Sequence, residues 1–184
     1  EPLVVGQRVD VTAWAEDLRD HRAGTVVDLH VQLTASGDPD AEPVWSGVST
    51  YLARSNRSAA TDHAAERVEP VPGPPVAVWR LGADTGRRYA GVSGDINPIH
   101  LSGVSARLFG FRHGIAHGMQ VHARAVAWLT PRLPRRPLLQ ASFHRPVPLP
   151  STVALHRGST PGETVIDVVR KDRLLARTVV GSIG

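Results

Sequence analysis

The sequence predicts an α+β fold in which antiparallel strands are laid out in two unequal copies of one unit, with a single long helix in the second copy. Three observations predict it. Strand-like runs broken by turn residues fill residues 3–52, one extended helical stretch occupies residues 112–134, and the strand runs that follow it echo those of the first half.

The first half opens with "PLVVGQRVDVTAWAEDL" and continues with "GTVVDLHVQLT", a "SGDPDAEP" turn and "VWSGVSTYL", which together read as an antiparallel meander. From about Ala53 to Pro75 the chain becomes rich in Ser, Asn, Ala, Glu and Pro and ends in "EPVPGPP", the composition of a connector. The expected domain boundaries are therefore strands of a first repeat over residues 1–55, a linker over 56–75 and a second, complete repeat over 76–184.

In the second half a short strand, "VAVWRL", precedes the stretch "YAGVSGDINPIH". Asn97 is a good helix cap and Pro98 a good first helical residue, because proline lacks only a donor that would be unpaired there, so a helix is expected to start at Pro98. His100 then falls in its first turn, while Asp95 stays on the loop leading in. The turn can fold the carboxylate back toward the imidazole, with a water or hydroxyl held between them.

The long helix is expected within "RHGIAHGMQVHARAVAWLTPRLP". Ile115, Met119, His122, Val126 and Leu129 recur at spacings of four and three and predict its buried face, and Pro131 and Pro134 end it. Four strand runs follow: "LLQASFHRPV", "STVALHRGS", "ETVIDVVRK" and "RLLARTVVGSI". In apolar spacing and turn placement "PVPLPSTVALHRG" echoes "PLVVGQRVDVTAW", and "GETVIDVVRK" echoes "GTVVDLHVQL", the pattern of an internal duplication.

Composition removes whole classes of function. The chain has 184 residues and no Cys, so disulfides, thiolate nucleophiles and sulfur-ligated metals are excluded. Apolar runs fall short of the roughly 18 residues that span a bilayer, and no signal core opens the sequence, which predicts a cytoplasmic protein with no membrane span. The first residue is Glu rather than Met, so a processed, truncated or omitted segment is expected before it. The net charge of +4 raises nucleic-acid binding, but the arginines are scattered and aromatics are only 5%, so no nucleic-acid partner is expected. His113, His117 and His122 lack a carboxylate companion, and the five-residue step turns the last away from the first, so no metal is expected there.

The stretch "YAGVSGDINPIHLSGVSARLFGFRHGIAHGM", Tyr89 to Met119, closely resembles the hydratase 2 motif of the MaoC-like family of (R)-specific enoyl thioester hydratases and dehydratases, without a gap. The two-copy pattern with the motif only in the second copy resembles that family's double hot-dog members, in which a curved antiparallel sheet wraps a central helix twice. The resemblance implies that Asp95 and His100 are catalytic, binding and activating the water that adds at C3. It implies that the backbone N–H of Gly118 points at the thioester oxygen, and that Asn97 and His117 contribute to the substrate site. The implied reaction needs no cofactor. Its substrate would be an acyl-CoA or acyl-carrier-protein thioester of fatty-acid metabolism. A full first repeat would also need a helix that this sequence lacks, which predicts a homo-oligomer or pseudo-dimer. Arg132, Arg135 and Arg136 in "PRLPRRP" are candidates for the carrier's phosphates. The alternative is a hot-dog protein that binds acyl thioesters or stabilises a subunit without turnover.

Overall fold

The computed structural model describes residues 3–21, 24–35, 42–54 and 68–182. These fall into two compact units, divided between Glu66 and Arg67.

The first unit is a three-stranded antiparallel sheet in chain order. Its strands are β1 (Val9–His21), β2 (Gly24–Ala35) and β3 (Trp45–Arg54). The alternation in "VDVTAWAEDL" is what a pleated strand requires, since successive side chains point to opposite faces. A bulge between Glu16 and Arg19 interrupts the register, with Asp17 at φ 53°. Arg19 closes the irregularity by donating to both carboxylate oxygens of Asp28, at 2.9 and 3.2 Å. In the strand-like run that opens the sequence, residues 3–8 lie outside a strand and β1 begins at Val9. Most of the expected linker, residues 55–67, and part of the "SGDPDAEP" turn lie outside the described residues.

The second unit contains β4 (Ala77–Leu81), α1 (Thr85–Ser93), α2 (Pro98–Leu101), α3 (Gly103–Leu108), β5 (Gly114–Ile115) and α4 (Gly118–Leu129). A 3-10 turn (Thr130–Arg132), β6 (Pro137–Phe143), β7 (Pro148–Leu149), β8 (Ser151–Thr160), β9 (Glu163–Arg170) and β10 (Arg173–Ser182) complete it. The main sheet is antiparallel in the order β4-β8-β9-β10-β6, and β5 pairs with β7. β8, β9 and β10 form a meander of the same connectivity as β1, β2 and β3. The echo in the sequence corresponds to a shared supersecondary unit.

α4 packs on this sheet, with Val121, Ala125 and Leu129 buried among Val153, Leu155, Ile166 and Val168. This corrects the expected helical face. Ile115 belongs to β5, Met119 is 55% exposed, and the buried stripe is Val121–Ala125–Leu129 rather than Met119–His122–Val126. The alanine explains the rotation. A methyl at the centre of the stripe lets the helix axis approach the sheet closely, and larger side chains are turned to its flanks. His122 stands at one flank, its Nδ1 3.0 Å from the Thr178 hydroxyl.

Asp167, on β9, is fully buried and holds the approach to β4. It accepts from Arg177 Nε and Nη2, both at 2.7 Å, and from the Val71 N–H at 2.8 Å, while Arg177 also donates to the Glu69 carbonyl at 3.0 Å. Residues 69–71 are thereby tied to the middle of the sheet.

Candidate active site

The loop between α1 and α2 is built by a relay of short side chains. α1 ends where Gly94 takes a left-handed conformation, φ 74°, and donates its N–H to the Ala90 carbonyl. The Ser93 hydroxyl donates to Tyr89 O at 3.0 Å and accepts the Asp95 N–H at 3.2 Å. Asp95 Oδ1 accepts the Asn97 N–H at 3.1 Å, and Asn97 Oδ1 accepts the Ile99 N–H at 3.3 Å, with Pro98 at the first position of α2. These local bonds fix the turn between α1 and α2. Asn97 acts as the expected cap, and Ser93 and Gly94 shape the turn.

His100 sits on α2, its Nδ1 2.8 Å from the carbonyl oxygen of Ile115 on β5. A carbonyl can only accept, so Nδ1 carries the proton and the neutral ring keeps its lone pair on Nε2. Burial pushes the imidazole below its ordinary range and the proximity of His117 adds to this, while the Ile115 bond and Asp95 oppose it. At neutral pH His100 is thus a base with a free acceptor nitrogen.

His117 caps the start of α4 and is 2% exposed. Its Nε2–H donates to the Asp95 backbone carbonyl at 3.0 Å and lies 3.7 Å from Asp95 Oδ2. The His100 and His117 rings stack with centroids 3.7 Å apart, and Tyr89 covers His117 at 5.0 Å. Ligand atoms of Asp95, His100 and His117 all lie within 4.8 Å of one another. The Asp95 carboxylate is half exposed, so a substrate can reach it.

Gly118 is the first residue of α4, where a backbone N–H precedes the helical hydrogen-bond ladder and the helix dipole favours negative charge. A Cβ there would lie 2.9 Å from the Phe143 ring. The five residues named from the sequence, Asp95, Asn97, His100, His117 and Gly118, therefore lie on one continuous run of contacts. His113 is exposed and His122 faces Thr178, so the three histidines spaced along the sequence are not a cluster. The carboxylate that joins His117 comes instead from 22 residues upstream.

Gly86 is a residue that sequence reasoning missed. It is buried in α1, and a Cβ on it would collide with the backbone carbonyl of His100. A glycine inside a helix reads only as a mild propensity cost; the close approach of α1 to α2 gives it a function. Backbone against Cβ cannot be relieved by a rotamer change, so Gly86→Ala is expected to displace His100. A displacement of about 1 Å in a catalytic group costs on the order of 10²-fold. Steady-state kcat/KM should fall by about that factor, and unchanged kinetics would show that α1 yields freely.

Burial lowers the pKa of His122 and, together with nearby Arg177, that of His144, as it lowers that of His100. The unfolded chain binds protons to these rings at about pH 6.5, whereas the folded chain does so only at lower pH. Stability is therefore full above about pH 6.5 and falls as pH drops through the folded values. Thermal unfolding between pH 7.5 and 5 should show a declining Tm; a rising one would contradict the burial assignment.

The family profile described as MaoC like domain matches residues 61–176. The chain belongs to the MaoC-like family. Within that family it is 37% identical, over 84% of its length, to 3-hydroxyacyl-thioester dehydratase X of Mycobacterium tuberculosis, and it spans 54% of that curated relative. The crystal structure of HtdX from the same organism superposes with a TM-score of 0.85 at 33% identity, over 99% of this chain and 72% of that one. A MaoC-like dehydratase from Phytophthora capsici shares the fold alone, at 18% identity and a TM-score of 0.71, over 95% of this chain and 62% of that one. The MaoC-like chain thus has the hot-dog fold, with α4 against the sheet of the second unit. Among its described residues no helix is long and apolar enough to cross a membrane.

Proposed function

We propose that this MaoC-like chain catalyses the reversible hydration of trans-2-enoyl thioesters, equivalently the dehydration of (3R)-hydroxyacyl thioesters carried on coenzyme A or an acyl carrier protein. The observation that carries the reading is the convergence of the Asp95 carboxylate and the His100 imidazole, whose polar atoms lie within 4.8 Å of one another without a hydrogen bond between them. In hydration the water oxygen bonds to C3 as one acceptor takes its proton, and a proton is delivered to C2. In dehydration C2 loses its proton and the departing hydroxyl is protonated. The enolate charge that develops on the thioester oxygen meets the N–H at Gly118. His117 holds the Asp95 backbone from one side and His100 from the other. The (3R) sense follows the resemblance to the hydratase 2 motif.

The test is the loss of conjugated enoyl absorbance when a short trans-2-enoyl-CoA is added, followed by chiral analysis of the product. Hydration giving the (3R) alcohol supports the reading. Absence of turnover on both CoA and carrier-protein substrates, with the full-length protein, sinks it.

This chemistry requires no metal. Asp95, His100 and His117 could nonetheless accept a divalent cation, since one carboxylate oxygen and two imidazole nitrogens are ordinary zinc ligands. EDTA is expected to leave turnover unchanged, and added Zn²⁺ to inhibit it reversibly by occupying these donors. Activity lost to EDTA and restored by metal would contradict the proposed mechanism.

A further inference from the structure

The loop leaving α3 makes a second feature beside the site. Gly110, at φ 84°, turns the chain back, and the Gly110 and Phe111 N–H groups donate to Arg107 O and Ala106 O, both at 3.1 Å. Around this turn Arg107, Gly110, Phe111, Arg112 and His113 line an open cleft of about 470 Å³. All three basic side chains are exposed, and none has a carboxylate or other hydrogen-bond partner among the described residues. Elsewhere the arginines Arg19 and Arg177 are paired with Asp28 and Asp167. A cleft that gathers unpaired positive charge and leaves it facing solvent is complementary to an anion.

The cleft is joined to the site through the fold: α3, which carries Arg107, packs against α2, which carries His100, and against β5. Arg112 lies three residues before Ile115, whose carbonyl holds His100, so extended chain puts it within roughly 10 Å of that carbonyl along the backbone. The candidate arginines named from the sequence are placed differently. Arg132, Arg135 and Arg136 follow the far end of α4, and the rise along the helix from Gly118 to Leu129 is about 17 Å.

The geometry points to the Arg107–Arg112–His113 cleft as the binding site for the phosphate that terminates the pantetheine arm of the substrate. This inference rests on the thioester reading above and names the part of the carrier the protein recognises. Coenzyme A and an acyl carrier protein both present that phosphate, as a diphosphate in the first and as a serine diester in the second. Two guanidinium forks suit it better than ammonium groups would, because they bind phosphate oxygens in pairs.

The experiment compares crotonyl-pantetheine with crotonyl-pantetheine 4′-phosphate on the intact chain, and in parallel measures calorimetric binding of pantetheine 4′-phosphate, coenzyme A and a holo carrier protein. For the wild type the phosphate is expected to lower KM by roughly tenfold or more, as a charge-assisted contact would. In Arg107→Ala/Arg112→Ala that advantage should collapse toward one, with Arg→Lys at both positions retaining a good part of it, and salt should erode it. Larger losses for coenzyme A or for the holo carrier protein identify which source is recognised. A phosphate advantage that survives in the alanine variant shows a solvated basic loop and overturns the site. Binding reads the cleft independently of turnover. If the chain were inactive, arginine-dependent binding of pantetheine 4′-phosphate would uphold the cleft while the hydratase reading failed, and no binding, or binding equal in the variant, would overturn the cleft.

Discussion

Asp95→Asn and His100→Gln are each expected to lower kcat/KM for a short trans-2-enoyl-CoA by roughly 10²–10⁴, the usual worth of one positioned proton transfer. The substitutions separate chemistry from architecture. Asn at position 95 keeps an acceptor for the Asn97 N–H, so the turn that delivers α2 survives while the carboxylate is lost. Gln at position 100 can still donate to the Ile115 carbonyl but offers no lone pair of imidazole basicity. Tm and circular dichroism should therefore stay close to the wild type. The double variant should cost little more than the worse single one if, as proposed, the two groups act on one water, because such losses do not add. The wild-type kcat/KM should also fall on the acid side with an apparent pKa below about 6.5, since burial lowers His100, and that limb should vanish in His100→Gln. Variants that keep a third or more of the activity would remove these two residues from the mechanism.

Asp167→Ala is expected to be the most destabilising single change in the second unit. Asp167 is wholly buried, bidentate to Arg177 and bonded to the Val71 N–H, so its removal strands a guanidinium and a backbone donor at once. Losing one partner of a buried pair costs roughly 3–5 kcal/mol. Arg177 is a quarter exposed and can recover some hydration, which places the expectation at the lower end, about 3 kcal/mol. For a chain of this size that is a fall in Tm of roughly 6–12 °C. Hydrogen exchange should quicken first at Val71, ahead of the strands. A Tm within about 2 °C of wild type would show that the pair contributes no net stability.

The sequence showed the strand meanders and the Asp95–His100 turn because both are local. Alternation, turn residues and an Asn-Pro cap act within a few positions, and β2, β3, β8, β9 and the start of α2 fell where those signals stand. Contacts made across the chain were not legible. The buried face of α4 was misassigned because Ala125 scores as a weak hydrophobe, yet its small size let the helix settle. The collision that makes Gly86 obligatory, the carboxylate that reaches His117 and the pairing of Asp167 with Arg177 join residues 10 to 22 positions apart or belong to different elements. Residues Glu1 and Pro2 and those at positions 55–67 add nothing to this comparison, since they lie outside the described residues.

The bond from His100 Nδ1 to the Ile115 carbonyl has an evolutionary consequence. The group that fixes which nitrogen is basic belongs to the main chain, so it is present whatever amino acid is encoded at position 115. Drift in the Ile115 side chain therefore leaves the protonated nitrogen of His100 unchanged. A mutated copy of this gene could change residue 115 and keep the tautomer of its histidine 15 positions upstream.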